Sequence, residues 1–258
     1  MNKISTTEKV NKNYYDKIYS SNFGSLFNLV KTLTSYDQQS KSKLNIYFIK
    51  KYLNQSKKIT VLDYGFGRGS LLLKMPKNVN LIGCEISDSA VQKFPKIAKI
   101  IGKNVSTCSP EEFDSRVKDN SVDIIFCSHV LEHVPDDLKL LKTFKNKVKP
   151  NGYVLINIPI NEVWNDPKHV RKYTFENFKR IAHDQGLSVI ESFETNQLDN
   201  FILTHEIIKR KSIFKKYSLK ILRLIFALMP LKFLLFVNLR LSRNYKPAQL
   251  ICILQKIY

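Results

Sequence analysis

A chain of 258 residues with 43% hydrophobic and 25% charged content has the balance of a folded globular protein and the length for one large domain or a domain with an appendage, which excludes a disordered chain. Four cysteines, Cys84, Cys108, Cys127 and Cys252, show no Cys-x-x-Cys spacing and read as small buried apolar residues of a reducing compartment, which argues against a disulfide or zinc framework. The formal net charge of +20 is unevenly spread: after Glu206 there is no acidic residue, while twelve basic ones stand between Lys209 and Lys256.

Residues 1–43 are polar with scattered aromatics, including Tyr14-Tyr15-Asp16 and Phe23 and Phe27, and read as an N-terminal arm or a helical flap. No charged-then-apolar signal opens the chain, so the expected compartment is the cytoplasm. Leu44, Tyr47, Phe48 and Tyr52 recur at helical spacing. The apolar run 59–62 then predicts a buried strand, followed by Asp63-Tyr64-Gly65-Phe66-Gly67-Arg68-Gly69-Ser70 and three leucines. A strand, a glycine-rich turn and a short helix open a nucleotide-binding α/β unit: one glycine permits the tight turn, one lets a ligand approach bare backbone, and one lets the helix pack close. The NAD fingerprint would need glycine where Ser70 stands, and the Gly-Lys-Ser/Thr of a phosphate loop is absent.

Leu81-Ile82-Gly83-Cys84 reads as a second strand with Glu85 at its end, about 20 residues past the turn, where an acid can hold a ribose diol. The two motifs together resemble the class I S-adenosylmethionine (SAM) dependent methyltransferases. The resemblance implies a Rossmann-like, doubly wound α/β fold, mostly parallel with an antiparallel last strand. It also implies a cofactor site in which Asp63, Tyr64, Gly65, Gly67 and Gly69 hold the methionine end of SAM, while Glu85 and Ile86 hold the ribose.

Ser87 can cap a helix that Pro95 should stop at Phe94. Residues 105–108 read as strand three, and Ser109-Pro110-Glu111-Glu112 fits a capped helix start. In the resembled family this loop touches the adenine, and Ser109 stands where an acid is common. Residues 122–128 form an apolar fourth strand that runs into His129-Val130-Leu131-Glu132-His133-Val134-Pro135. This stretch is similar to the strand-four motif of a subgroup acting on small molecules and sugars, which places Ser128 and His129 beside the cofactor and His133 beside the acceptor. The same letters spell a His-x-x-Glu-His metal motif, which needs a helix presenting both histidines. A strand precedes them and Pro135 follows, so no metal is assigned, and a divalent ion held by Glu132 and His133 stays as the alternative.

Leu138, Leu141, Phe144 and Val148 predict one helix stripe ended by Pro150-Asn151-Gly152, and residues 153–158 a fifth strand. The alternation of strand and helix argues for a parallel sheet with helices on both faces. The next loop, Trp164-Asn165-Asp166-Pro167-Lys168-His169-Val170-Arg171-Lys172-Tyr173-Thr174, resembles the same subgroup, which implies His169 and Arg171 at the acceptor. The alternative is that these two tie the loop to the sheet. A helix with Phe175, Phe178, Ile181 and Ala182 inward and a strand at 187–193 follow. Residues 250–254 fit the final antiparallel strand. The expected division is therefore a SAM-binding methyltransferase domain at 44–195 plus 248–258, with a basic, apolar, helical insert at 196–247.

In that insert the longest uncharged run is eight residues, 224–231, containing Pro230, whereas a spanning helix needs about 20. Basic and apolar residues together suit helices lying in the interface of an anionic membrane, through 209–243, with a homo-oligomeric face as the other use of that surface. The expected function is methyl transfer from SAM to an oxygen or nitrogen of a small or membrane-associated acceptor, such as a glycan, lipid-linked sugar or quinone precursor, by an enzyme peripheral to the membrane. The rivals are a nucleic-acid methyltransferase, against which the interleaved aliphatics argue, and a non-catalytic protein that keeps the fold.

Overall fold

The computed structural model describes residues 6–20, 36–52, 59–162, 166–208 and 213–257. Phe23 and Phe27 of the arm, Trp164 and Asn165 of the fifth-strand loop, and Lys209, Arg210 and Lys211 of the insert lie outside the described residues.

Seven strands form one sheet in the order β3-β2-β1-β4-β5-β7-β6. They are β1 (Thr60–Tyr64), β2 (Asn80–Cys84), β3 (Val105–Cys108), β4 (Val122–Ser128), β5 (Val148–Pro159), β6 (Leu187–Thr195) and β7 (Gln249–Lys256). β1 to β5 are mutually parallel, and β7 enters antiparallel between β5 and β6. Strand period two sorts the side chains. On β4, Ile124 and Phe126 join one apolar layer, and Ile125 and Cys127 join the other. The first layer is covered by α2 (Tyr36–Tyr52) through Leu44 and Phe48, by α3 (Ser70–Lys74) through Leu71 and Leu72, and by α4 (Asp88–Ile100) through Phe94. The second is covered by α5 (Pro110–Arg116) through Phe113, by α6 (Asp137–Lys147) through Leu141 and Phe144, and by α7 (Phe175–Asp184) through Phe178. All four cysteines are free and buried.

Several elements differ from their sequence expectations for local reasons. α4 does not stop at Phe94 but continues through Pro95 to Ile100. Proline removes the amide that Val91 O would accept, and Thr107 Oγ1 donates to that carbonyl instead at 2.8 Å. Pro150-Asn151-Gly152 does not end a helix but lies inside β5, in an irregularity between the pairs Val122–Val148 and Ile124–Tyr153. On α6, Leu138 is exposed, and Leu140 joins Leu141 and Phe144 inward. α2 begins at Tyr36 and crosses the expected boundary at 43/44. Its first turns are polar yet packed: Ser42 hydrogen-bonds Ser70, and Lys74 Nζ donates to Gln39 Oε1 at 2.7 Å. Tyr47 of the same helix is exposed.

The region 196–247 holds α8 (Gln197–Ile208), α9 (Ile213–Leu228) and α10 (Leu231–Leu241), with Pro230 separating the last two. Leu198, Ile202, Ala227 and Leu234 close a third apolar cluster with Tyr36 of α2. Lys43 Nζ donates to Ala227 O and Met229 O at 2.8 and 2.6 Å, satisfying carbonyls that a helix end leaves open. Among the described residues no helix is long and apolar enough to cross a membrane.

Candidate active site

The carboxyl ends of β1, β2 and β4 open into a cleft of about 1200 Å³. The glycine turn forms its floor. Gly65 N and Phe66 N both donate to Cys84 O, at 2.7 and 3.3 Å, which folds the turn over the end of β2. Gly65 has φ +79°, and a Cβ there would stand 2.2 Å from Val130 Cγ2, so this glycine lets the turn after β4 sit directly against the floor. Gly69 serves packing: a Cβ would fall 1.9 Å from Phe94 Cε2, so it seats α3 against α4 and does not line the cleft.

Glu85 is buried at the cleft wall and accepts from Gly67 N at 2.7 Å and Ile86 N at 2.9 Å. Burial pushes its carboxyl up despite these donors. Asp63, also buried, is pushed up to about 7, first by burial and second by the charge of Glu85. Tyr64, Ile86, Ser128 and His129 line the same cleft. Ser128 Oγ and His129 Nε2 are buried and meet no hydrogen-bond partner among the described residues. Ser109 does not face the cleft. Its hydroxyl accepts from Glu112 N and its amide donates to Glu112 Oε2, a reciprocal cap on α5, and Pro110, Glu111 and Asp114 line the wall in its place.

The acceptor-side residues come from two segments clamped together. After β4 the chain makes a 3₁₀ turn, Leu131–His133, not an α-helix, so the histidines are not presented as the metalloprotease motif requires. The loop 166–173 lies across this turn. Val170 N donates to Glu132 O at 2.8 Å, and Lys168 O lies 3.1 Å from His133 Nδ1. Arg171 donates to Leu131 O, Val134 O and Pro135 O and pairs with Asp137 at 3.1 Å. Its guanidinium is thus fully engaged in tying the loop to the turn, away from the cleft, the second of the two expectations for it. His133 lines the cleft, and His169 stands behind it with ring centroids 4.7 Å apart. Burial is the largest effect on His133 and lowers its pKa, so the ring is neutral near pH 7. Glu132 is fully buried. Burial pushes its carboxyl up, but the imidazoles of His129 and His133 outweigh this and hold it below the usual carboxylate range.

The roof comes from the segment read as an N-terminal arm or helical flap, whose cleft-facing residues the sequence did not single out. α1 (Thr6–Ser20) places Asn11, Tyr15 and Tyr19 in the cleft. Asp16 holds the helix there, accepting from Ser87 Oγ at 2.6 Å and Ser89 N at 3.3 Å, and Lys12 pairs with Asp88 at 2.9 Å. Burial, then Glu85, pushes the Tyr15 phenol up to about 12. Tyr14-Tyr15-Asp16 was visible as an aromatic cluster, but nothing in its spacing says which groove it covers. Lys41, Ser42 and Asn45 of α2 complete the wall.

Comparison with known proteins places this geometry. A family model described as a methyltransferase domain matches residues 36–192. The ubiquinone biosynthesis O-methyltransferase of Hydrogenovibrio crunogenus is 28% identical over 117 residues, which cover 44% of this chain and 48% of that one, so the match spans about half of that relative. Among solved structures, a SAM-dependent methyltransferase from Archaeoglobus fulgidus aligns with TM-score 0.54 at 19% identity, covering 84% of this chain and 94% of the other. Phosphoethanolamine N-methyltransferase 2 of Haemonchus contortus, solved with S-adenosyl-L-methionine, aligns with TM-score 0.56 at 15% identity, covering 83% of this chain and 52% of that one. At these identities the two structures speak to the fold.

Proposed function

This chain belongs to the methyltransferase family whose domain it matches and is a SAM-dependent methyltransferase; from that premise we propose that it methylates a hydroxyl oxygen of a small or membrane-associated acceptor. The observation that carries this reading is the division of the one cleft. Its floor and one wall offer bare backbone and two buried acids, and its other side offers imidazoles.

The first half fits SAM. The groups at the carboxyl end of β1 suit the ammonium of the methionine end, and Glu85 suits a ribose diol. SAM supplies a methyl group already activated by a sulfonium. The residues therefore align the partners and exclude water, with α1 as the cover. With SAM bound, the acceptor oxygen would gain the methyl carbon as the carbon–sulfur bond breaks with its electron pair left on sulfur, and the hydroxyl proton would leave to a base. Neutral His133, at the cleft edge, suits that last task. An amine acceptor would need no more than the same base. The likeness to a ubiquinone biosynthesis O-methyltransferase favours oxygen.

The family's cofactor does not specify an acceptor, but the surface behind the cleft supports one delivered from a membrane. α9 and α10 pack on α2, which also lines the cleft, and turn apolar and basic side chains outward. Lipid-linked sugars and quinone precursors suit such a surface. Titration calorimetry tests the reading at its base: SAM and its demethylated product are expected to bind one per chain and NADH not at all. Binding of NADH in their place would overturn it.

A further inference from the structure

The clamp between the 3₁₀ turn and the loop after β5 does more than order a wall. It brings Glu132, His133 and His169, from two separate segments, close enough that one ligand atom of each lies within 4.8 Å of the others. The His133 imidazole is already oriented. A carbonyl can only accept, so the contact with Lys168 O fixes the proton of His133 on Nδ1 and leaves the Nε2 lone pair free. Glu162 Oε1 lies 2.8 Å from His169 Nδ1, a close charge contact without hydrogen-bond geometry. A backbone carbonyl or a carboxylate behind the far nitrogen is the arrangement that metal-ligating histidines keep.

The independent observation concerns Glu132. It is fully buried, yet neither carboxylate oxygen accepts a hydrogen bond from a described residue. His129 Nδ1 approaches one oxygen at 3.3 Å and leaves the other without a partner. A buried carboxylate left in this state is costly, and a cation in contact with it removes the cost.

We propose that Glu132, His133 and His169 bind a divalent transition-metal ion on the acceptor side of the cleft. Two imidazoles and one carboxylate on one side of an ion suit Zn²⁺, Mn²⁺ or Fe²⁺ and leave positions open for other ligands. His133 lines the cleft next to Val130, which touches the glycine floor, so an open position faces the space where an acceptor would lie. There the ion would bind the acceptor hydroxyl as a Lewis acid and lower its pKa, its proton passing to water; His133, with its lone pair on the ion, would then hold the metal in place of the base role open to it in the metal-free cleft. This role rests on the methyl-transfer reading; the binding of the ion does not.

The test uses the full chain stripped with a chelator and titrated calorimetrically with ZnCl₂ and MnCl₂, with SAM titrated in parallel. One ion per chain is expected, Zn²⁺ more tightly than Mn²⁺. His133→Asn and His169→Asn should each weaken Zn²⁺ by about tenfold or more while SAM affinity stays within about twofold, and Co²⁺ bound in place of Zn²⁺ should show a visible spectrum that either variant alters. Glu132→Gln serves as a third variant if it folds. No uptake by the stripped wild-type protein, or unchanged Zn²⁺ affinity in both histidine variants, would overturn the proposal. SAM binding without metal uptake would sink the metal site alone, and metal uptake without SAM binding would leave the site standing and sink the methyl-transfer reading.

Discussion

Two buried acids set the behaviour of the cofactor half. An acid whose folded pKa is raised is protonated in the folded chain over a range where the unfolded chain is already ionised. For Asp63, at about 7 when folded against 3.8 unfolded, that range is pH 4 to 7. Stability is unaffected below it, falls as pH rises through it, and stays lowered above it by about 4 kcal/mol. Asp63→Asn is therefore expected to raise the thermal midpoint at pH 8 and to leave it near the wild-type value at pH 4, while SAM affinity drops at least tenfold. A cationic ligand must also ionise Asp63 to use it. Below pH 7, SAM binding should release close to one proton and weaken about tenfold per pH unit, and at pH 8.5 it should release almost none. Calorimetry in two buffers of different ionisation enthalpy counts those protons, and a count of zero at pH 6 would remove Asp63 from the site. Glu85 has a second duty, since it holds the Gly67 and Ile86 amides. Glu85→Ala should weaken SAM by about 1.5–3 kcal/mol, and Glu85→Gln by less, because an amide oxygen still accepts.

At the scale of elements, α1 is the part expected to move. It reaches the body through Asp16 at the start of α4, through the Lys12–Asp88 pair, and through Tyr14, whose ring lies under Lys168 Nζ at 4.4 Å. Removing a cap-type contact costs about 1 kcal/mol. Asp16→Ala should thus speed release of the demethylated product about fivefold in stopped-flow displacement, with little change in thermal midpoint; an unchanged release rate would mean that α1 does not gate the cleft. Elements of this kind were the hardest to read from the sequence. Strands β1, β2 and β4 were legible because buried parallel strands are continuous apolar runs, and the glycine turn was legible because its chemistry is local. The polar start of α2 was not, since its partners are the Ser70 hydroxyl and the Lys74 ammonium, distant in sequence. Pro95 and Pro150 misled because a proline's lost hydrogen bond was absorbed by tertiary structure, by Thr107 in one case and a strand irregularity in the other. Arg171 carried the right letter in the right loop, but whether a guanidinium faces a ligand or three carbonyls depends on packing that no spacing encodes.

At the scale of the whole molecule, charge and apolar surface coincide. In the described part of the insert Ile221, Leu224, Ile225 and Leu228 follow the spacing of one helix face, and Leu228 and Leu239 are each 70% exposed. Phe233 and Phe236 are exposed beside them, and the guanidinium of Arg240 lies 5.1 Å from the Phe236 ring. The buried face of the same helices, with Ala227 and Leu234, is already taken by α2 and α8, so the outward residues are not needed for folding. Such a patch suits either an anionic lipid surface or a second copy of the chain. The vanished acids are the reason we propose lipid. Two copies meeting there would set the exposed Lys232, Arg240 and Arg243 of one against the same residues of the other, with no acid after Glu206 to offset them, whereas each Lys or Arg near an anionic bilayer contributes about 1 kcal/mol. Only a few need to reach the surface, because burying several leucine and phenylalanine side chains adds about 25 cal/mol for each Å² removed from water. The protein is expected to float with vesicles containing phosphatidylserine, to float less as salt is raised, and to stay at the bottom with neutral vesicles. Leu224→Glu combined with Phe233→Glu should abolish flotation and leave SAM affinity unchanged, because both residues lie outside the cleft. A protein that ignores anionic vesicles and elutes as a tight dimer, which the same double variant splits, would assign the face to a second subunit.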